Sequence, residues 1–265
     1  MLDSGGPLEY TPHVDLSLLQ LGALVAAAFV AGIVDAIAGG GGLLTLPALL
    51  AAGLPPHLAL GTNKGQSVFG SGAALANFAR AGLVDRKLAP LTFPLGLAGS
   101  LSGAALVLLV KPDVLKPLVL ILLVAVAAFL AFRPAVTRRD EPPLAKARLF
   151  AAALALGIGL YDGFFGPGTG TFLIVGFVGL LGQPMARASA NAKVINFASN
   201  LAAVAIFASR GTILWQVALP MAAAQFAGGM LGSQLAVRGG DVLVRRVVLL
   251  VVAALSLKLG YDLLA

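Results

Sequence analysis

The sequence predicts an all-α polytopic membrane protein, and three observations carry that prediction. Residues are 59% hydrophobic and 11% charged, with a mean hydropathy of +0.97. A soluble domain carries about 25% charged residues, so this chain has too few charges to cover a water-facing surface. Apolar runs recur from end to end, many of them near the roughly 20 residues that cross about 30 Å of hydrocarbon as a helix. Segments of alternating polarity, which a β-barrel would require, are absent from the sequence.

The elements follow in order. Residues 1–15 carry Asp3, Glu9 and Asp15 and neither Lys nor Arg. That is unlike the basic start of a cleavable signal, so an extracytoplasmic tail is expected, with the first apolar run retained. Runs are expected at 16–38, a short 43–53, 61–80, 88–110 and 114–133. A polar cytoplasmic linker, 134–148, separates this first repeat (16–133) from a second (149–265). The second has runs at 149–165, a short 169–181, 187–209, 212–236 and 243–263.

The second set restates the first. Asp35 stands four residues before Gly39 and a run of glycines; Asp162 stands four before Gly166 and PGTG. TNKGQS (62–67) answers NAKVIN (191–196), FARAG (78–82) answers FASRG (207–211), and Pro90 answers Pro220. The offset is 127 residues before the short segment and about 129 after it, as a duplicated unit with a small insertion would give.

Basic residues decide the orientation of the repeats, because Lys and Arg collect on the cytoplasmic side. With the short segments counted as crossings, each half has five and thirteen of the eighteen Lys and Arg lie inside. With eight full spans and two re-entrant segments, the alternative, the split is ten against eight. Charge therefore favours inverted repeats of five segments, each with one short Gly/Pro-interrupted segment. Residues 43–53 make only about 17 Å of helix, so irregular chain must extend them or they re-enter. Such backbone is tolerated at membrane depth only beneath protein or beside a water-filled cavity. Short interrupted segments at matching places in two halves point to a transporter's binding site.

The net charge of +7 is spread as short clusters between apolar runs. That fits topology and headgroup contact. No aromatic-basic clusters of the kind that stack nucleic acid are present, so no nucleic-acid partner is expected. Cysteine is absent, and His13 and His57 are far apart, so neither a metal nor a cofactor is expected. No nucleophile–base set lies in the apolar segments, which argues against an enzyme.

Three groups of residues have the chemistry of an anion site. A helix that starts inside a membrane presents free N–H groups and a partial positive charge, which attract anions. The donors would come from Gly40, Gly41, Gly42, Leu43 and Leu44 in one half, with Thr45 nearby, and from Gly168, Thr169 and Gly170 in the other. Packing of small residues in lipid is the competing reading. Lys64 and Lys193 each open a long apolar segment, where a lysine either neutralises an anion or snorkels to the interface. Asn63 and Gln66 surround the first, and Asn191 and Asn196 the second; amides there either bind substrate or join helices. Asp35 and Asp162 are intramembrane carboxylates, which face a cavity or a partner. Each has three available roles: capping the turn, pairing with a lysine, or carrying a coupling proton.

The stretches GGGGLLTLPALLAAGLPPHLALGTNK (39–64), FARAGLVD (78–85), YDGFFGPGTGTFLIVGF (161–177) and NAKVINFASN (191–200) resemble the TauE/SafE family of membrane permeases. This is the sulfite and organosulfonate exporter family, also called the toluene sulfonate uptake family, and the resemblance runs from about residue 16 to 263. It implies a multi-pass transporter of the bacterial inner membrane for a small sulfur-containing anion such as sulfite, thiosulfate or a sulfonate. The other expected partners are the lipid bilayer and protons as a coupling ion. A small carboxylate as cargo and an anion channel are the alternatives.

Overall fold

The computed structural model describes residues 16–132 and 140–264. The expected tail 1–15 and linker residues 133–139 lie outside the described residues. Helix α1 (Leu18–Ala38) begins at a capping box in which Ser17 and Gln20 satisfy each other's backbone N–H groups. It stops at Gly39, whose φ of 70° a residue with a side chain adopts only at a cost. After it come α2 (Gly42–Ala51), α3 (Pro56–Arg80), α4 (Ala89–Leu108) and α5 (Pro112–Phe132). Past the linker lie α6 (Leu144–Phe164), α7 (Thr169–Leu181), α8 (Met185–Ser209) and α9 (Trp215–Leu264). Within α9 the helix breaks at Gly240 (φ 55°, ψ −153°), leaving arms 215–239 and 241–264. Among the described residues there is no strand.

Three boundaries differ most from the sequence expectation. α3 begins at Pro56 and not at residue 61, because a proline at the first helical position loses no hydrogen bond and has its φ already set. α6 begins at Leu144, so residues 144–148 (LAKAR), expected in the linker, form its first turn; each is a good helix former. The expected gap at 237–242 shrinks to the single residue Gly240.

Helices α1, α4, α5, α6 and α8 contain stretches long and apolar enough to cross a bilayer. α3 has the length, with 25 residues, but Thr62, Asn63, Lys64, Gln66 and Ser71 lie buried along it and lower its hydropathy. α2 and α7, with 10 and 13 residues, reach about 15 and 20 Å. Leu120, Ile121 and Val124 on α5, and Leu149, Leu156 and Leu160 on α6, face outward. Water would not favour such a surface; hydrocarbon does.

Packing is led by α1 on α9, α4 on α6, α3 on α9 and α4 on α8. Glycines set the approach. A methyl group on Gly103 would sit 2.0 Å from the carbonyl oxygen of Leu160, and one on Gly228 would sit 2.2 Å from that of Phe29. Without side chains at these points the backbones of α4 and α6, and of α1 and α9, come into direct contact, as small residues permit in membranes.

The bundle has two distinct ends. At one, residues 84–88, 141–147 and 181–187 surround a cavity of about 390 Å³. At the other, residues 47–56 meet Lys116, His57 bonds to the Val107 carbonyl, and Gly61 touches Thr212. α2 starts beside the C-terminal third of α1, where Gly41 lies against Ala31 and Asp35, and ends at the second end. α7 starts at mid-depth and ends at the first.

Candidate functional site

The two glycine-rich breaks meet in the middle of the bundle. A methyl group on Gly39 would lie 2.2 Å from the carbonyl carbon of Gly170, and one on Gly42 would lie 3.2 Å from Cα of Pro167. The Thr171 hydroxyl clasps the end of α1, donating to the carbonyls of Ala38 (3.0 Å) and Gly39. Positive φ at Gly39, Gly166 and Gly168 makes both turns. Between them is a polar cavity of about 20 Å³. It is lined by Asp35, Gly40, Gly41, Gly42, Asn63, Lys64, Ser67, Asp162, Gly166, Gly168, Thr169, Gly170, Asn196 and Asn200.

Each lysine is paired with the carboxylate of the opposite half of the chain. Lys64 Nζ lies 2.7 Å from Asp162 Oδ1, and Lys193 Nζ lies 2.7 Å from Asp35 Oδ2. Both ammonium groups are buried, which excludes snorkelling to the interface. Lys64 also donates to Asn200 Oδ1 at 3.1 Å, and Lys193 to Asn196 Oδ1 at 3.3 Å. A charge at this depth is costly unless paired and hydrogen-bonded. Here the four charges sum to zero.

The surroundings of the two carboxylates differ. Asp162 accepts from Lys64 and from the Thr169 hydroxyl (2.9 Å) on one oxygen. Its other oxygen accepts from the Ser199 hydroxyl and from Asn196 Nδ2 (3.4 Å). Asp35 accepts from Lys193 on one oxygen and, at a long 3.4 Å, from the Gly41 N–H on the other.

Most of the expected residues therefore converge. Lys193 reaches the cluster through its ammonium group although it does not line the cavity. Thr45 and Gln66 stand behind the lining and orient Asn63, whose Oδ1 accepts from Thr45 Oγ1 at 2.6 Å and from Gln66 Nε2 at 3.0 Å. Asn191 is elsewhere. It accepts from the Asp85 N–H and donates to Gln183, each at 2.8 Å, joining loops at the first end of the bundle. Three of the expected donors are also used internally: the N–H groups of Leu43 and Leu44 close turns onto the Gly40 and Gly41 carbonyls, each at 3.0 Å, and that of Thr169 onto the Gly166 carbonyl at 3.1 Å. Ser199 was not foreseen from the sequence; its place three residues after Asn196 and one before Asn200, on one helical face, was the available signal.

Comparison with known proteins identifies the family. The family described as "Sulfite exporter TauE/SafE" matches residues 24–259. The chain belongs to the TauE/SafE family. A "Probable membrane transporter protein ORF9" of Sinorhizobium sp is 41% identical over 248 residues, covering 94% of this chain and 95% of the relative. The "Probable membrane transporter protein YfcA" of Escherichia coli strain K12 is 39% identical over 247 residues, covering 93% and 92%. A "Probable membrane transporter protein" of Haemophilus influenzae is 37% identical over 249 residues, covering 94% and 98%. No solved structure matches. This TauE/SafE member is thus a multi-pass membrane transporter.

Proposed function

We propose that this protein is a secondary transporter that moves a small sulfur-containing anion, such as sulfite, thiosulfate or an organosulfonate, across the bacterial inner membrane by alternating access. One observation carries the reading: the helix starts of α2 and α7 and the Lys64 ammonium group converge on one buried polar cavity, with the Lys193 ammonium group held behind Asp35 at its wall. Helix N-termini and lysines are complementary to an oxyanion. The family description supplies the sulfur.

Inverted repeats of five segments are part of the proposal, and recurring contacts support them. Gly159 against Gly96 is answered by Gly32 against Gln225, and Gly103 against Leu160 by Gly232 against Ile33. All four correspondences keep the offsets of 127 and 129 residues. The cytoplasmic side would be the end that gathers Arg86, Lys87 and Arg187. A cavity of about 20 Å³ has room for about one water, less than any sulfur oxyanion needs. Cargo entry therefore requires the halves to move apart, and the crossed ion pairs tie that movement to events at the site.

The lysines already hold carboxylates, and this favours small carboxylates as the second substrate class. Proteoliposomes given radiolabelled sulfite, thiosulfate, methanesulfonate and lactate separate the two. The expected result is saturable uptake of at least one sulfur anion, with competition by its congeners. Uptake of lactate alone would overturn the sulfur assignment, and a non-saturating conductance would identify a channel.

A further inference from the structure

We infer that Asp35 is the proton carrier of this transporter, that cargo replaces it on Lys193, and that Asp162 and Lys64 form a fixed clasp. The inference rests on the anion-transport reading above and adds the coupling ion, its carrier and its stoichiometry.

The site contains its own anions. Asp35 and Asp162 occupy the places beside the lysines and helix starts where cargo would sit, and the cluster is already neutral. A monoanion that simply entered would leave a net negative charge in a low-dielectric interior, which is strongly unfavourable. If one carboxylate takes a proton as the anion enters, neutrality is kept. The lysine released by that carboxylate becomes the counter-ion of the cargo. The balance is one proton and one monoanion bound, with no net charge gained.

Hydrogen bonding selects which carboxylate does this. Asp162 has four donors on its two oxygens and is 1% exposed. A proton there would push the Thr169 and Ser199 hydroxyls onto the Gly166 and Asn196 carbonyls that they also touch (2.6 and 3.0 Å), breaking two buried hydrogen bonds to the carboxylate, each at a cost. Asp35 Oδ1 has one long contact, from the Gly41 N–H at 3.4 Å, and opens onto the cavity. It can take a proton without displacing a strong donor. Lys193, when released, keeps Asn196 Oδ1 as an acceptor. The charged groups facing Asp35 are Lys193 from α8 and, across the cavity, Lys64 from α3 and Asp162 from α6. The neighbouring parts of α2 and α7 offer backbone and hydroxyl groups. On α9 the neighbours of this part of α1 are Gln225, Gly229 and Gly232.

The cycle follows. Empty and deprotonated, the site neutralises itself through both ion pairs and can reorient. Loaded with proton and anion, it is again neutral and can reorient. Binding only one of the two leaves a charge that opposes reorientation, so proton and anion travel in the same direction.

The probe is methanesulfonate, which stays a monoanion throughout the working pH range. Calorimetric titration of the purified protein in buffers of different ionisation enthalpy gives affinity and protons taken up together. With Asp35 ionised, about one proton is expected per anion, and affinity should fall about tenfold per pH unit. Asp35→Asn should bind with little pH dependence and no proton uptake, more tightly than wild type at high pH. Asp35→Glu should restore the slope. Ser199→Ala, which alters the Asp162 cluster without changing its charge, should keep it. Binding to wild type without proton uptake, or a slope lost in Ser199→Ala and kept in Asp35→Asn, would overturn the inference while leaving the transporter reading intact. No methanesulfonate binding at any pH would remove the site itself.

Discussion

The Asp162 and Asp35 clusters are made of the same parts and differ in how completely those parts are satisfied. Each has a carboxylate at the end of a long helix, a glycine-rich turn and a buried lysine from the other half of the chain. Around Asp162, the Thr169 and Ser199 hydroxyls, with Asn196 at an equally long 3.4 Å, fill the remaining acceptor positions. Around Asp35 one weak backbone contact does so. Burial of a charge is tolerated when its hydrogen bonds are complete; leaving them incomplete keeps a group available for chemistry. Under the proposed repeat, one unit used twice would supply a fixed clasp and a group that exchanges partners.

The largest test of this comparison removes the lysines. Lys64→Ala leaves an ionised, deeply buried Asp162 without its counter-ion, and a loss of about 3–5 kcal/mol is expected in denaturant unfolding of the purified protein. Lys193→Ala should cost less, about 1–3 kcal/mol, because the Asp35 side chain is 14% exposed and can be hydrated or protonated. Equal losses would break the distinction between clasp and carrier.

Next come the turns. A side chain on Gly41 would lie 2.7 Å from Asp35 Cβ and 2.8 Å from the Ala31 carbonyl oxygen. Gly41→Val should cost about 1–3 kcal/mol through overpacking and lower anion affinity at least about tenfold in the calorimetric assay. Gly168 (φ 85°) sits 2.6 Å, in the same sense, from Val126 Cγ1, so Gly168→Val should be comparably damaging. Unchanged affinity in both would remove the helix starts from the site.

The smallest effects concern residues outside the cavity. Tyr161 donates to the Pro167 carbonyl at 2.5 Å, whereas the matching position of the first half is Val34. Tyr161→Phe should lower stability by about 1 kcal/mol and sharpen the asymmetry between the turns. Asn191→Ala should cost a similar amount by loosening the loop at Asp85, with anion affinity retained. A weakened affinity would return Asn191 to the site.

Much of this was legible in the sequence because it depended on period and order. Apolar runs marked the helices, and Asp, the glycines and Lys in matched order marked the residues that meet at the cavity. What was not legible depended on three-dimensional approach. The spacing of Lys64 and Asp162 along the chain says nothing of their contact, which arises because α3 and α6 converge on the same cavity. Asn191 has the neighbours of a site residue in sequence, yet it lies about one and a half helical turns before Asn196 and so at the first end of the bundle. Proline placement moved the start of α3, and a single left-handed glycine replaced an expected loop at Gly240.

The claim that cargo occupies the cavity between the two turns can be tested directly, because the chain has no cysteine. Ser67, which lines the cavity, is changed to cysteine, and its rate of labelling by a maleimide is followed as methanesulfonate is added. The account predicts protection with half-saturation at the concentration that half-saturates transport, and none at an Ala81→Cys control on the exposed end of α3. A labelling rate at Ser67→Cys unchanged at concentrations that saturate transport would contradict it.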